Sequence, residues 1–234
     1  MKHLLLTTIA AVLVVGCGPP KDIREAAEQG DIEAVKEYLA ADARRRLQHP
    51  ERTRYTRAVS VMDGDGRRPL HYAAMNDHKE IAELLIAEGA SVNAWDGDGL
   101  YPLHYAALNN HKEIAALLIA EGADVNEMGG DRLYPLHYAA MNDHKEIAEL
   151  LIAEGANVNA KGSYVEGTPL HSAADGHKEV AELLIAEGAD VNMKDDLGFT
   201  PLDYAERHPE IADLLRKHGG KTGAELSIHK AASE

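Results

Sequence analysis

Residues 69–90 read PLHYAAMNDHKEIAELLIAEGA, and residues 135–156 repeat that string letter for letter. Between them, residues 102–123 depart from it only at Leu108, Asn110 and Ala116. Further copies begin at Pro169 and Pro201. Pro69, Pro102 and Pro135 are 33 residues apart. A fixed period of this length marks a solenoid, in which each unit buries its apolar face only against its neighbours. The question of function therefore moves from catalysis to surface recognition.

Each unit has a physical reading. The prolines stand where a helix begins, because the first helical N–H has no partner to lose. Leu70, Ala73 and Ala74 lie on one side of this short helix, and the alanines permit close approach of the next. Asp77, Asn110, Asp143 and Gly176 follow, residue types that tolerate the left-handed backbone of a tight turn. A second helix carries Ile81, Ala82, Leu84, Leu85 and Ile86 as an apolar stripe and stops at Gly89. Residues 92–99 then form a turn-rich link to the next proline.

Thr168-Pro169-Leu170-His171-Ser172-Ala173-Ala174 resembles the opening of the ankyrin repeat, and Gly122-Ala123-Asp124-Val125-Asn126 and Gly188-Ala189-Asp190-Val191-Asn192 resemble its linker. The resemblance spans residues 22–219. It implies an all-α repeat solenoid of helix–turn–helix units with β-turn or hairpin tips, about six units including terminal caps. Ile23 to Ala27 stand where Leu70 to Ala74 stand in the next unit and form a degenerate first cap without the proline. Thr is replaced by Arg68, Tyr101 and Tyr134, which lack a short hydroxyl to cap the helix. The unit at Pro169 has one extra residue before the proline and one fewer before Val180. An insertion of about 14 residues, within 42–58, separates the first two units (30 residues from Leu39 to Pro69 against 16 from Ile86 to Pro102). Residues 220–234 read as a polar C-terminal tail.

The N-terminus carries an address. Lys2 precedes an apolar run from Leu4 to Val15, too short for an ordinary transmembrane span. Leu13-Val14-Val15-Gly16-Cys17 then resembles a bacterial lipobox, and Cys17 is the one cysteine of the chain. Residues 1–16 thus read as a lipoprotein signal peptide and 17–21 as an acylated cysteine with a short tether. The resemblance implies a lipid-anchored protein on the extracytoplasmic side of a bacterial cell envelope. More than one acyl chain makes such anchoring stable. The formal net charge is −15. It argues against nucleic acid, whose phosphates would be repelled, and suits steering of a basic partner.

Two rows of histidines recur: His71, His104, His137 and His171, and His78, His111, His144 and His177. A metal ladder is excluded by spacing, since stacked helices lie ~8–10 Å apart while a metal needs nitrogens within ~2.1 Å. No Gly-x-Ser-x-Gly, His-Glu-x-x-His or phosphate-cradling loop is present. The expectation is no enzyme, no cofactor, no metal and no small-molecule substrate.

In ankyrin repeats the concave groove is formed by the tips and the ends of the first helices. Carried onto this sequence, the partner-binding set is Met75, Asn76, Trp95, Asp98, Leu100, Leu108, Asn109, Met128, Asp131, Leu133, Met141 and Asn142. Met62, Asp65 and Arg67 extend it at one end, and Lys161, Tyr164, Glu166, Asp175, Lys194, Asp196, Leu197 and Phe199 at the other. Trp95, the one tryptophan, is expected at a tip as an anchor, beside Leu100, Met128 and Leu133; the competing reading has it packed on an adjacent tip. The insertion holds Arg44, Arg45, Arg46, Arg52, Arg54 and Arg57 in an otherwise acidic chain. It reads either as a solvated loop extending the second helix or as a contact with anionic lipid head groups. The expected function is a membrane-anchored module that binds another protein through its concave face; the alternative is a structural spacer or stress-protective envelope component.

Overall fold

The computed structural model describes residues 21–48, 57–162 and 167–231; residues 1–20, with Cys17, lie outside the described set, as do Arg52, Arg54, Tyr164 and Glu166. The described residues form paired helices. These are α1 (Ile23–Gln29) with α2 (Ile32–Gln48), α3 (Pro69–Met75) with α4 (Lys79–Ala87), and α5 (Pro102–Leu108) with α6 (Lys112–Ala120). The series continues with α7 (Pro135–Met141) and α8 (Lys145–Ala153), α9 (Pro169–Ala174) and α10 (Lys178–Ala186), then α11 (Pro201–Tyr204) and α12 (Pro209–Lys217). A last helix, α13, spans Gly223–Ala231. No strand occurs among the described residues.

Local chemistry sets each pair. The second helix of a unit follows its first across a left-handed residue, with φ of 59° at Asp77, 61° at Asn110, 57° at Asp143 and 114° at Gly176. Asp and Asn accept this conformation at less cost than other side chains. Each first helix packs on the first helix of the next unit, from α1 through α11. Ala73, Ala74, Ala106, Ala107, Ala139 and Ala140 line these contacts and are fully buried. Leu70, Ile81 and Leu85 are almost fully buried too, each contributing ~1.5–3 kcal/mol. The continuous core runs from Ile23 to Leu215.

Asparagines staple the linkers. Asn93 Nδ2 donates to Gly122 O at 2.9 Å, and the same bond joins Asn126 to Gly155, Asn159 to Gly188 and Asn192 to Gly219. The Oδ1 of each of the last three accepts the N–H two residues past that glycine, at Asn157, Asp190 and Lys221, each at 2.8 Å. One side chain thus satisfies a donor and an acceptor of the next unit.

Two sequence expectations change. Residues 220–234 are not wholly a tail, because α13 lies there. Thr222 N donates to Glu225 Oε2 at 2.7 Å and Glu225 N to Thr222 Oγ1 at 3.2 Å, a reciprocal cap that starts a helix. Asp203 Oδ2 accepts Gly223 N at 2.8 Å and fixes α13 to the last unit. The insertion, in turn, begins as helix. Helix α2 has 17 residues where α4, α6, α8 and α10 have nine. Residues 58–60 then make a short 3-10 turn that buries Val59.

Candidate partner-binding surface

The tips are built as turns that touch one another. Asp96 N donates to Leu100 O at 3.0 Å, Gly129 N to Leu133 O at 2.8 Å, and Asp195 N to Phe199 O at 2.9 Å. Neighbouring tips are joined by Gly97 N to Asp65 O at 2.6 Å and Gly130 N to Gly99 O at 3.1 Å. A Cβ at Gly97 would meet Asp65 O at 2.6 Å, so only glycine permits this backbone contact.

A carboxylate and a tyrosine hold four of the tips to their helices. Tyr105 donates to Asp96 Oδ2 at 2.5 Å and Tyr204 to Asp195 Oδ2 at 2.7 Å, and Tyr72 bonds Asp63 in the same register. In the fourth unit glycine occupies the aspartate position at Gly129, and Asp131, two residues on, takes the Tyr138 hydroxyl instead. Burial, and then the Asp96 carboxylate, push the Tyr105 hydroxyl up to about 12. The fifth unit departs: Ser172 replaces the tyrosine, and its buried Oγ has no partner among the described residues. Helix α9 there has six residues against seven in α3, α5 and α7.

The first histidine row belongs to the framework. His71, His104, His137 and His171 are buried. Each Nδ1 accepts the N–H of its own helix-capping residue, Arg68, Tyr101, Tyr134 and Thr168, at 3.0–3.4 Å. The proton must then sit on Nε2, which in the last three points at Leu133 O, Gly167 O and Phe199 O of the next tip, each at 3.3 Å. The imidazole thus supplies the reaching-back half of a cap, and does so whether the capping residue is Arg68, Tyr101, Tyr134 or Thr168. Burial lowers all four, His104 and His137 to about 4. In the second row His78, His111 and His144 reach Glu28 O, Ala74 O and Leu108 O of the preceding unit at 2.9–3.1 Å.

The expected partner residues differ in exposure and engagement. Trp95 is 63 % exposed, with its ring edge-to-face on Tyr101 at 6.3 Å and its carbonyl accepting Arg68 Nη1 at 2.7 Å. Met62 and Met128 lie 33 residues to either side and are also exposed, as is Met141. Met75, Leu100 and Leu108 are half-buried. Asp65 and Asp98 have side chains 70 % and 68 % exposed, with the Arg67 guanidinium 3.7 and 3.6 Å from them.

Leu133 is a correction. It is buried in the core, because Gly162 on the next tip lacks the Cβ that would meet its Cδ2 at 2.9 Å. Leu100 uses Gly129 the same way. Asp131 is exposed but committed, since its carboxylate takes Leu133 N at 3.1 Å as well as Tyr138. Asn76, Asn109 and Asn142 are exposed, yet each Nδ2 donates to the tyrosine carbonyl four residues back at 2.8–2.9 Å.

Arg46 and Arg57 are likewise engaged. Arg46 pairs with Asp42 at 3.4 Å and Glu88 at 3.8 Å, and Arg57 donates to Glu88 O. Arg44 and Arg45 are exposed, as is Leu47 at 83 %.

A search of curated proteins finds no match for the chain. Family profiles do match. The profile described as "Ankyrin repeats (3 copies)" covers residues 23–129 and 136–226, and "Ankyrin repeats (many copies)" covers residues 109–152. These matches span the stacked helix pairs and reach into α13. Repeats of this family are protein-interaction modules. With its proline-led helix pairs, left-handed turns and histidine-capped tips, the chain belongs to the ankyrin-repeat family.

Proposed function

We propose that this chain is a lipid-anchored module of a bacterial cell envelope that binds another protein through its concave face. The observation that carries the reading is the exposed row Met62, Trp95 and Met128, one residue per unit, beside the exposed carboxylates of Asp65 and Asp98, which share the Arg67 guanidinium. Large apolar side chains bordered by charge have the composition of an interface core and rim. The row ends at Lys161 and Lys194, which occupy the same register in the next two units. The partner is therefore an apolar segment with basic flanks that engages the second to fourth units. The net charge of −15 favours its approach and disfavours nucleic acid. Anchoring is supported by the lone Cys17 behind Gly16 at the end of the apolar run.

The spacer reading draws on one observation, the identity of residues 69–90 and 135–156, since duplication adds length before specificity. Affinity capture from solubilised envelope separates the two. A partner retained by the wild-type array and lost by Met62→Ala/Trp95→Ala/Met128→Ala at unchanged melting temperature supports the groove. Equal retention by the triple variant, or no saturable partner, overturns it.

A further inference from the structure

The free end of α2 has no counterpart in the other units. Val35 and Leu39 are its buried residues, and both lie in the first half of the helix. Helices α1 and α2 form a hairpin closed by Gly30 and Asp31, so they run in opposite directions. At 1.5 Å per residue, the seven residues of α1 span ~10 Å and the 17 of α2 span ~25 Å. The last turns of α2 therefore project ~15 Å beyond the start of α1, on the side from which the chain enters the fold at Lys21. The five residues from Cys17 to Lys21 extend at most ~18 Å. A bilayer holding Cys17 thus lies within reach of the projecting turns.

The chemistry of those turns fits such a surface. Among the described residues Arg44 and Arg45 have no ion-pair partner, and the exposed Leu47 stands between them and the helix end. Arg46 faces the stack, on the stripe of Leu39 and Val35, and its guanidinium goes to Asp42 and Glu88. Glu33 and Glu37 lie two or more turns back, Lys36 pairs with Glu33 at 2.7 Å, and the nearer Asp42 is taken by Arg46, so among the described residues of α2 the unpaired cations lie at the tip. Such a tip, two cations and one apolar side chain on a protein of net charge −15, complements an anionic leaflet, where each basic residue gains roughly fivefold in affinity.

We propose that Arg44, Arg45 and Leu47 form a foot that rests on anionic lipid and sets the tilt of the solenoid on the membrane. It depends on the anchoring reading only for the closeness of Cys17 to the bilayer. The test supplies that closeness chemically, so the two readings fail separately. Residues 17–234, the chain that remains after the expected signal cleavage, hold the whole described core from Ile23 to Leu215. Cys17, the sole cysteine, is coupled to a maleimide lipid in vesicles of phosphatidylcholine alone or mixed equally with phosphatidylglycerol. Trypsin cleavage after Arg44 and Arg45 is followed by mass spectrometry, with cleavage after Lys217 at the far end as reference. The foot predicts cleavage at least about tenfold slower on the anionic vesicles, with protection lost in high salt. Leu47→Gln, a change at an exposed position, should lose most of that protection while leaving the melting temperature unchanged. Equal cleavage rates on both vesicles, or full protection in Leu47→Gln, overturns the proposal. Labelling of Cys17 in cells, the test of the anchor, has no bearing on either result.

Discussion

The hydroxyl of Tyr105 donates to the carboxylate of Asp96, nine residues earlier, across 2.5 Å. Asp96 is buried, and its other oxygen takes Asp98 N at 3.0 Å and Leu100 N at 2.9 Å. One side chain thus folds the tip and fastens it to α5. Tyr105→Phe leaves that buried oxygen short of a donor and should cost ~1–3 kcal/mol. In a double-mutant cycle with Asp96→Ala, urea denaturation should show a coupling of about 1 kcal/mol or more; strictly additive effects would contradict the pairing.

The buried histidines make the array acid-sensitive. A neutral imidazole held down near 4 in the fold and near ~6.5 in the unfolded chain leaves the unfolded state with more protons between those values. Stability should be full above about pH 6.5 and fall as pH drops toward 4, by several kcal/mol summed over His104 and His137. Chemical denaturation between pH 4 and 7 checks this, and a flat profile would show that the imidazoles are not buried neutral.

The asparagine staples should be individually measurable. Asn126→Ala removes the bonds to Gly155 O and from Asn157 N, and should cost ~1–2 kcal/mol. Amide exchange at Asn157 should quicken more than at Asn93, which belongs to the preceding staple. Uniform quickening would show instead that the whole stack had loosened.

Trp95 touches Tyr101 but stays mostly in solvent. Trp95→Ala should weaken partner binding by ~2 kcal/mol or more while shifting stability by less than ~0.5 kcal/mol. Calorimetry with the captured partner, beside a thermal melt, separates the roles. A large melt shift with binding intact would make Trp95 structural.

For the anchor, Cys17→Ser should release the protein from membranes or leave its signal uncut. Metabolic labelling with a clickable fatty acid that still marks the serine variant would refute acylation at this position.

Much of this fold is legible in the sequence, because a repeat states its rules several times over. The left-handed turns at Asp77, Asn110 and Asp143 follow from residue type alone. So does the helix start at each proline. Side-chain destinations are less legible. Leu100 and Leu133 occupy the same register, yet one is half-buried and the other fully so. The glycine each packs against lies about 30 residues away, on another tip. The cap of α13 is legible too, since Thr222-Gly223-Ala224-Glu225 has the spacing of a reciprocal cap, although the segment lies past the last repeat. That Arg46 and Arg57 converge on Glu88 depends on how the first unit meets the second, which charge patterning along one chain does not encode.

The serine at position 172 bears on how the array comes apart. Edge-to-face rings link His71 to Tyr105, His104 to Tyr138 and His171 to Tyr204, at 5.5–6.1 Å, while the position that would supply the ring for His137 is Ser172. In a chain of nearly identical links, every interface opens with nearly equal cost, and a partly frayed molecule is a mixture of many break points. One link lacking its aromatic clasp removes that degeneracy. Pulled or heated, the protein should part between α7 and α9, leaving the end that bears the methionines and the tryptophan as a cohesive block and letting the two C-terminal units go first.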